Sequence, residues 1–199
     1  MSHSDPATDP NWFRSPALMT LENSALVLID VQEKLMPAMA NQAKLTARIQ
    51  LMLKGCGLLN IPIVVTEQYP KGLGATVPDI ELLLSNANVV GRAEKTMFSV
   101  RAGAEAFSGL AGQGITNLVV VGIETHVCVA QSALDLLANG FEVYVCTDAV
   151  GSRNSNDHET ALRRMENSGV IPTTVEAVLF EWCENANHES FKTISKSIK

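Results

Sequence analysis

The sequence has no long apolar run, no paired-cysteine motif and no basic patch, and each absence excludes a class of protein. A membrane-spanning helix needs roughly 20 consecutive apolar residues, and no stretch approaches that length. Its four cysteines, Cys56, Cys128, Cys146 and Cys183, show no CxxC spacing, which argues against a zinc knuckle and a disulfide framework. The net charge of −6 comes without an aromatic-basic run. We therefore expect a small-molecule partner, and neither nucleic acid nor a membrane.

The first residues also lack the features of a signal peptide. Residues 1–16 have neither a basic start nor an apolar centre, so we expect a cytoplasmic protein with reduced thiols. They contain three prolines and no periodicity, which predicts a flexible N-terminal arm. Trp12 and Phe13 in this arm either contact a neighbouring subunit or pack on their own domain. The chain has 46% hydrophobic residues, which is enough for one substantial core. Residues 17–199 are therefore predicted to form one globular domain.

Short β-branched runs alternate with helical patterns along the rest of the chain. The predicted strands lie near residues 25–30, 61–66, 88–91, 117–121, 142–146 and 170–172. This alternation predicts an α/β fold with three layers, in which a six-stranded parallel sheet is doubly wound with helices on both faces. The commonest strand order for six strands is 3-2-1-4-5-6. Strands one and four are then neighbours, and ligands bind beyond their carboxyl ends.

Cys128 follows strand four at the start of a helical pattern. If Thr125 is the N-cap, Cys128 occupies the third helical position. Unpaired backbone N–H groups and the helix dipole would there stabilise a thiolate, the nucleophilic form of cysteine. The alternative is that Cys128 is a small buried apolar residue, as many free cysteines are.

Three other segments reach the same edge of the predicted sheet. Asp30 ends strand one, the loop at residues 67–78 follows strand two, and Lys95 follows strand three. Alone, Asp30 could be a turn or cap residue, Lys95 a solvated side chain and the loop a surface Ω-loop. A carboxylate, an ammonium group and a thiol that converge on one crevice indicate a nucleophilic site instead.

The later part of the chain carries three structural expectations. Asp148 and Arg153 lie in the predicted loop after strand five, where we expect them to pair. Asn156 with Glu159 predicts a capping box at the start of a helix. Residues 188–199 predict an amphipathic tail helix that packs either on its own domain or on a partner subunit, and Trp182 on a late helix favours association.

Three motifs resemble those of the isochorismatase-like cysteine hydrolases, which include nicotinamidases and N-carbamoylsarcosine amidohydrolases. They are Val27-Leu-Ile-Asp-Val-Gln32, Glu94-Lys-Thr-Met-Phe-Ser99 and Gly122-Ile-Glu-Thr-His-Val-Cys-Val129. The resemblance implies that Asp30 is the general acid/base, that Lys95 orients the thiol and lowers its pKa, and that Cys128 is the nucleophile. It also implies a cis peptide at Ile123-Glu124 and an oxyanion hole formed by the N–H groups of Glu124 and Cys128.

The same resemblance implies a substrate pocket and no metal. Its pocket residues are Gln32, Tyr69, Phe98 and His126, although His126 either lines the pocket or faces solvent. Nicotinamidases hold a metal through an Asp-x-His arrangement and a further His, but residues 67–70 contain no histidine, so we predict neither a metal nor another cofactor. The segment Tyr69-Pro-Lys-Gly-Leu-Gly-Ala-Thr-Val-Pro78 is most similar to the isochorismatase-domain-containing subgroup, whose substrates are poorly defined.

The residues and the resemblance together predict a cysteine-dependent hydrolase of a C–N bond in a small amide or ureido compound. One alternative is hydrolysis of an isochorismate-type vinyl ether, in which Cys128 is dispensable. Another is a catalytically silent oligomeric interaction protein. A nucleotide-binding oxidoreductase is less consistent, because no GxGxxG follows strand one. The resemblance also implies a homo-oligomer built from dimers.

Overall fold

A computed structural model describes residues 13–198, so the predicted arm lies mostly outside the described residues, as does Trp12. The strands are β1 Ser24–Ile29, β2 Ile63–Gln68, β3 Val89–Lys95, β4 Asn117–Ile123, β5 Glu142–Gly151 and β6 Ile171–Thr173. The α-helices are α1 Gln42–Leu59, α2 Pro70–Leu73, α3 Pro78–Leu84, α4 Ala104–Gly112, α5 Ala130–Ala138, α6 Ser155–Asn167, α7 Val175–Cys183 and α8 Phe191–Ile198.

The six strands form one parallel sheet in the order β3-β2-β1-β4-β5-β6. The predicted fold class and strand order are therefore confirmed. β1 and β4 are both fully buried, because apolar runs without alternating polar residues suit a sheet covered on both faces. Their register places Val27 beside Val120 and Ile29 beside Gly122.

Each face of the sheet has its own hydrophobic core. Leu26 and Leu28 point to the face covered by α1, α3, α7 and α8, and Val27 points to the face covered by α4, α5 and α6. Successive strand side chains alternate between the two faces. The two cores fix the sheet between the helical layers, so the carboxyl ends of β1 and β4 are held at a common edge.

Trp182 and the tail helix are part of the first core. Trp182 and Ile194 are almost fully buried within the chain itself. Of the two positions expected for the tail, packing on its own domain is confirmed, because the apolar atoms of the tail contact the core of the same chain. Phe13 is exposed.

The predicted cap of α6 is shifted by two residues. Asn154, and not Asn156, caps α6, since its side chain accepts a hydrogen bond from the N–H of Asn156 at 2.9 Å. Thr174 caps α7. Within residues 13–198, no helix combines the length and the apolar character that crossing a bilayer requires.

The predicted pair between Asp148 and Arg153 does not form. β5 continues to Gly151 and separates the two residues along an extended strand. Asp148 pairs with Arg48 at 3.4 Å, and Arg153 pairs with Glu124 at 3.0 Å. The three strand steps from Asp148 to Gly151 alone span roughly 10 Å, and the two side chains have different partners.

Candidate active site

Three segments bring a carboxylate, an ammonium group and a thiol to one edge of the sheet. Asp30 directly follows β1, Lys95 is the last residue of β3, and Cys128 lies in a helical turn after β4. β2 separates β3 from β1, so Lys95 starts roughly 10 Å away from β1, at two strand spacings. Its long side chain crosses the end of β2 to reach Asp30.

Asp30 and Lys95 form a fully buried ion pair. Nζ of Lys95 lies 2.6 Å from Oδ2 of Asp30, and neither side chain is exposed. Nζ also donates to Oε1 of Gln68 at 2.7 Å and to the carbonyl of Phe98 at 2.9 Å. All three protons of the ammonium group therefore have acceptors, as a charge out of contact with water requires.

Two glutamines fix the position of this ammonium group. The Gln68 side chain donates to the carbonyl of Thr96 at 2.8 Å while it accepts from Lys95. Gln32 accepts from the Gln68 N–H at 2.7 Å and donates to the carbonyls of Gln68 and Gly74. Gln32 is fully buried, so the structure places this predicted pocket residue beneath the loop after β2.

The Asp30 carboxylate is held from β2 as well. Thr66 donates its hydroxyl proton to Oδ1 of Asp30 at 2.7 Å, and its carbonyl accepts from the Asp30 N–H at 3.1 Å. Asp30 has a φ of 53°, a left-handed conformation that aspartate tolerates better than most residues. Backbone and side-chain bonds thus fix the carboxylate at the end of β1.

Cys128 lies in a π-helical turn, and not in the first turn of an α-helix as its spacing predicts. The turn spans Thr125–Val129, and the N–H of Val129 bonds to the carbonyl of Glu124, five residues earlier, at 3.1 Å. Hydrophobic periodicity does not distinguish an extra residue in one helical turn from a regular α-helix. Such π-turns occur often at functional sites.

The Cys128 thiol is a weak acid in this environment. Its side chain belongs to a residue with 5% exposure, and burial together with the Asp30 charge raises the pKa of Cys128 to about 12, although Lys95 acts in the opposite direction. Lys95 therefore lowers the thiol pKa as the resemblance implies, but burial and the Asp30 charge outweigh it and the net shift of the pKa is upward. Removal from water disfavours the thiolate more than one ammonium, already paired with a carboxylate, can favour it.

The backbone beside the thiol provides an unpaired donor. The peptide bond between Ile123 and Glu124 is cis, and the N–H of Glu124 has no hydrogen-bond acceptor among residues 13–198. Its carboxylate turns away and accepts from the backbone and side chain of Arg153. Gly122 just before this bond has a φ of 120°, and a Cβ there would collide with the carbonyl of Ile29. Only glycine allows β4 to approach β1 this closely.

The remaining predicted pocket residues lie around this centre. Tyr69 and Phe98 are about half exposed, at 54% and 49%. Tyr69 is tied to β3 through its N–H, which bonds to the Lys95 carbonyl at 2.8 Å. His126 is half-buried, and its Nδ1 lies 3.0 Å from the Ser152 hydroxyl. A cavity of about 240 Å³ next to the turn is lined by Ser152 and His158, but by none of the three central side chains.

Sequence reasoning missed Thr66 and Gln68 as neighbours of the central pair. The strand order could have indicated them, because β2 lies between β1 and β3 and the Lys95 side chain has to cross it. Alternate residues near the carboxyl end of β2 must then face that side chain. Within the part of the chain described, no three histidine, cysteine, aspartate or glutamate side chains are grouped as metal ligands would be.

The sequence and the fold of this chain are similar to those of several known proteins. The family model described as the isochorismatase domain matches residues 24–177. Isochorismatase family protein 1B of Dictyostelium discoideum is 39% identical over 91% of this chain and 88% of its own length. Isochorismatase domain-containing protein 1 of Salmo salar is 42% identical over 85% of this chain and 59% of its own length. The solved structure of MAR1 ribonuclease from Caenorhabditis elegans superposes with a TM-score of 0.83, at 37% identity and 92% coverage of both chains.

Proposed function

This chain belongs to the isochorismatase family, and from that premise we propose that it is a cysteine-dependent hydrolase acting on a C–N bond of a small amide or ureido compound. The observation that carries the proposal is the convergence of Asp30, Lys95 and Cys128 from three strand ends. The proposed catalytic residues are these three, and no cofactor takes part.

The first half of the proposed reaction forms an acyl-enzyme. A thiol with its pKa raised to about 12 is protonated near neutral pH, so it needs a base to become a nucleophile. Asp30 takes the thiol proton as Cys128 Sγ bonds to the substrate carbonyl carbon. The N–H groups of Glu124 and Cys128 stabilise the negative charge that develops on the carbonyl oxygen. Asp30 then passes the proton to the leaving nitrogen, the C–N bond breaks and a thioester remains.

The second half regenerates the enzyme. Water attacks the thioester carbon, Asp30 takes one proton from that water, and the sulfur leaves and recovers a proton from Asp30. Lys95 keeps the carboxylate in place, because Nζ is bonded to Asp30, Gln68 and Phe98 at once. Each reactant atom therefore ends in the acid or in the released amine.

The enclosure of the site supports a small substrate. Lys95 and Cys128 are only 3% and 5% exposed, so a large ligand has no direct approach to the sulfur. Tyr69 and Phe98 at the rim, with Gln32 beneath it and His126 beside it, complete the proposed pocket. A ribonuclease function, as the name of the Caenorhabditis elegans relative suggests, is less consistent with a net charge of −6, because RNA phosphates need cationic contacts.

The proposed assembly is a homo-oligomer built from dimers. Tyr69, Met97 and Phe98 are exposed, and they lie in segments that meet where the Tyr69 N–H bonds to the Lys95 carbonyl. A second subunit that covered them would also exclude water from the thiol. Sedimentation at micromolar concentration is expected to show a species larger than 21.4 kDa. A monomer with full hydrolase activity would contradict this assembly. All four cysteines are free, which supports the cytoplasm as the proposed location.

A panel of small amides and ureides, assayed for released ammonia, tests the proposed reaction. We expect at least one compound to be hydrolysed, and Cys128→Ala to remove the activity. Cys183→Ala is the matched control, since Cys183 is equally buried but lies on α7. Isochorismate in the same panel tests the vinyl-ether alternative, which predicts hydrolysis that persists in Cys128→Ala. A panel on which no compound is hydrolysed would contradict the proposal and favour an interaction protein.

A further inference from the structure

The two oxygens of the Asp30 carboxylate have different partners. Oδ2 bonds to the ammonium group of Lys95 at 2.6 Å, and Oδ1 accepts the hydroxyl proton of Thr66 at 2.7 Å. Thr66 is 1% exposed, so water does not compete for this bond. The hydroxyl is the second donor to a carboxylate that has to gain and lose a proton.

We propose that Thr66 is a positioning residue that holds the Asp30 carboxylate and sets how readily it accepts a proton from Cys128. A hydrogen bond donated to a carboxylate favours its charged form and thereby weakens it as a base. Bonds of this kind, with one charged partner, are about twice as strong as neutral ones. Thr66 would thus orient the carboxylate and make Asp30 a weaker base, which favours release of the proton to the leaving nitrogen. The inference rests on the proposed function.

The effect of the Thr66 hydroxyl on Asp30 can be separated from the effect of nearby charges. The titratable groups that face its carboxylate are Lys95 from β3 and Cys128 from the turn after β4. Glu124 in the same turn is paired with Arg153. Replacement of Thr66 therefore changes a neutral donor and leaves every charge around Asp30 in place.

The positional role of Thr66 is visible in the backbone too. Its carbonyl accepts from the Asp30 N–H, and its position in β2 is paired in register with Ile29 of β1. A valine at position 66 retains this backbone bond and the shape of the side chain, and it removes only the hydroxyl. Thr66→Ser keeps the hydroxyl and removes a methyl group.

The test is the pH dependence of Cys128 alkylation by iodoacetamide, followed by intact mass, with Cys128→Ala as the background. Alkylation needs Asp30 as a carboxylate to accept the thiol proton, so the rate falls on the acid side of the profile. We expect Thr66→Val to move this acid side to higher pH by about one pH unit, a tenfold change in proton affinity, since hydrogen bonds to charged groups are of that strength. Thr66→Ser is expected to restore the wild-type profile.

Thr76→Val is the matched control, because Thr76 is also buried and donates to a carboxylate, that of Glu67, at 2.7 Å. Its profile is expected to match the wild type. Thr66→Ala repeats the test if Thr66→Val does not fold, and if neither variant folds the role of Thr66 is structural and the proposal is overturned. Superimposable profiles for wild type and a folded variant without the hydroxyl, or no restoration by Thr66→Ser, overturn it as well. The assay needs no substrate, so it gives its answer even where the amide panel refutes the proposed hydrolysis.

Discussion

Replacement of Lys95 by methionine is expected to destabilise the fold strongly, because it leaves the Asp30 charge buried without a cation. The two side chains have no exposure, and Nζ makes three hydrogen bonds. Removal of one partner from a buried ion pair costs about 3–5 kcal/mol. We therefore expect Lys95→Met to lower the free energy of unfolding by about 4 kcal/mol, a large part of the roughly 5–15 kcal/mol of a typical domain.

Urea denaturation at constant pH measures this loss, with Lys44→Met as the matched control. Lys44 is exposed on the first turn of α1, so its replacement is expected to change the free energy of unfolding by less than about 0.5 kcal/mol. The double variant Asp30→Asn/Lys95→Met lacks both charges. We expect its loss of stability to be smaller, by about 1–3 kcal/mol, than the sum of the losses in the two single variants. A loss below about 1 kcal/mol for Lys95→Met, as an exposed pair would give, would refute the burial argument.

Three further predictions concern pH, packing and capping. Burial raises the pKa of Cys128 to about 12 from an ordinary 9.0, so between these pH values only the unfolded chain loses the thiol proton, and the free energy of unfolding falls as pH rises. Cys128→Ala is expected to reduce this fall by about 1.4 kcal/mol per pH unit in urea titrations between pH 9.5 and 10.5. An unchanged pH dependence would contradict this expectation. Gly122→Ala is expected to cost about 3 kcal/mol or more in urea, because its Cβ meets the carbonyl of Ile29 at a positive φ; wild-type stability would show that β1 and β4 separate freely. Asn154→Ala is expected to cost about 1 kcal/mol in thermal or urea unfolding, whereas Asn156→Ala is expected to cost much less, and the reverse order would contradict the observed cap.

The sheet and its strand order could be predicted because each strand carries a local signal. The apolar run of β1 and the β-branched run of β4 predict buried parallel strands without reference to any partner. In the strand order 3-2-1-4-5-6, β1 and β4 are neighbours, so Asp30 and Cys128 follow adjacent strand ends, where ligands bind in such sheets. The position of the candidate site follows from local pattern and topology.

The details of the site depend on distances that no local pattern contains. Asp148 and Arg153 are close in sequence, but their separation depends on where β5 ends, and the strand continues to Gly151. Helical spacing around Cys128 fits a π-turn as well as an α-helix. The acidity of the thiol depends on how completely the folded chain excludes water from Cys128, and this is a property of the packed structure.

The central claim is that Cys128 forms a covalent acyl-enzyme, and acid quenching during turnover tests it most directly. The amide that releases ammonia fastest in the panel is mixed with the protein, the reaction is stopped within the first turnovers, and peptides are mapped by mass. We expect an added mass equal to the substrate acyl group on Cys128, and none on Cys183. Unmodified Cys128 in a protein that turns over, together with activity that survives Cys128→Ala, would contradict it.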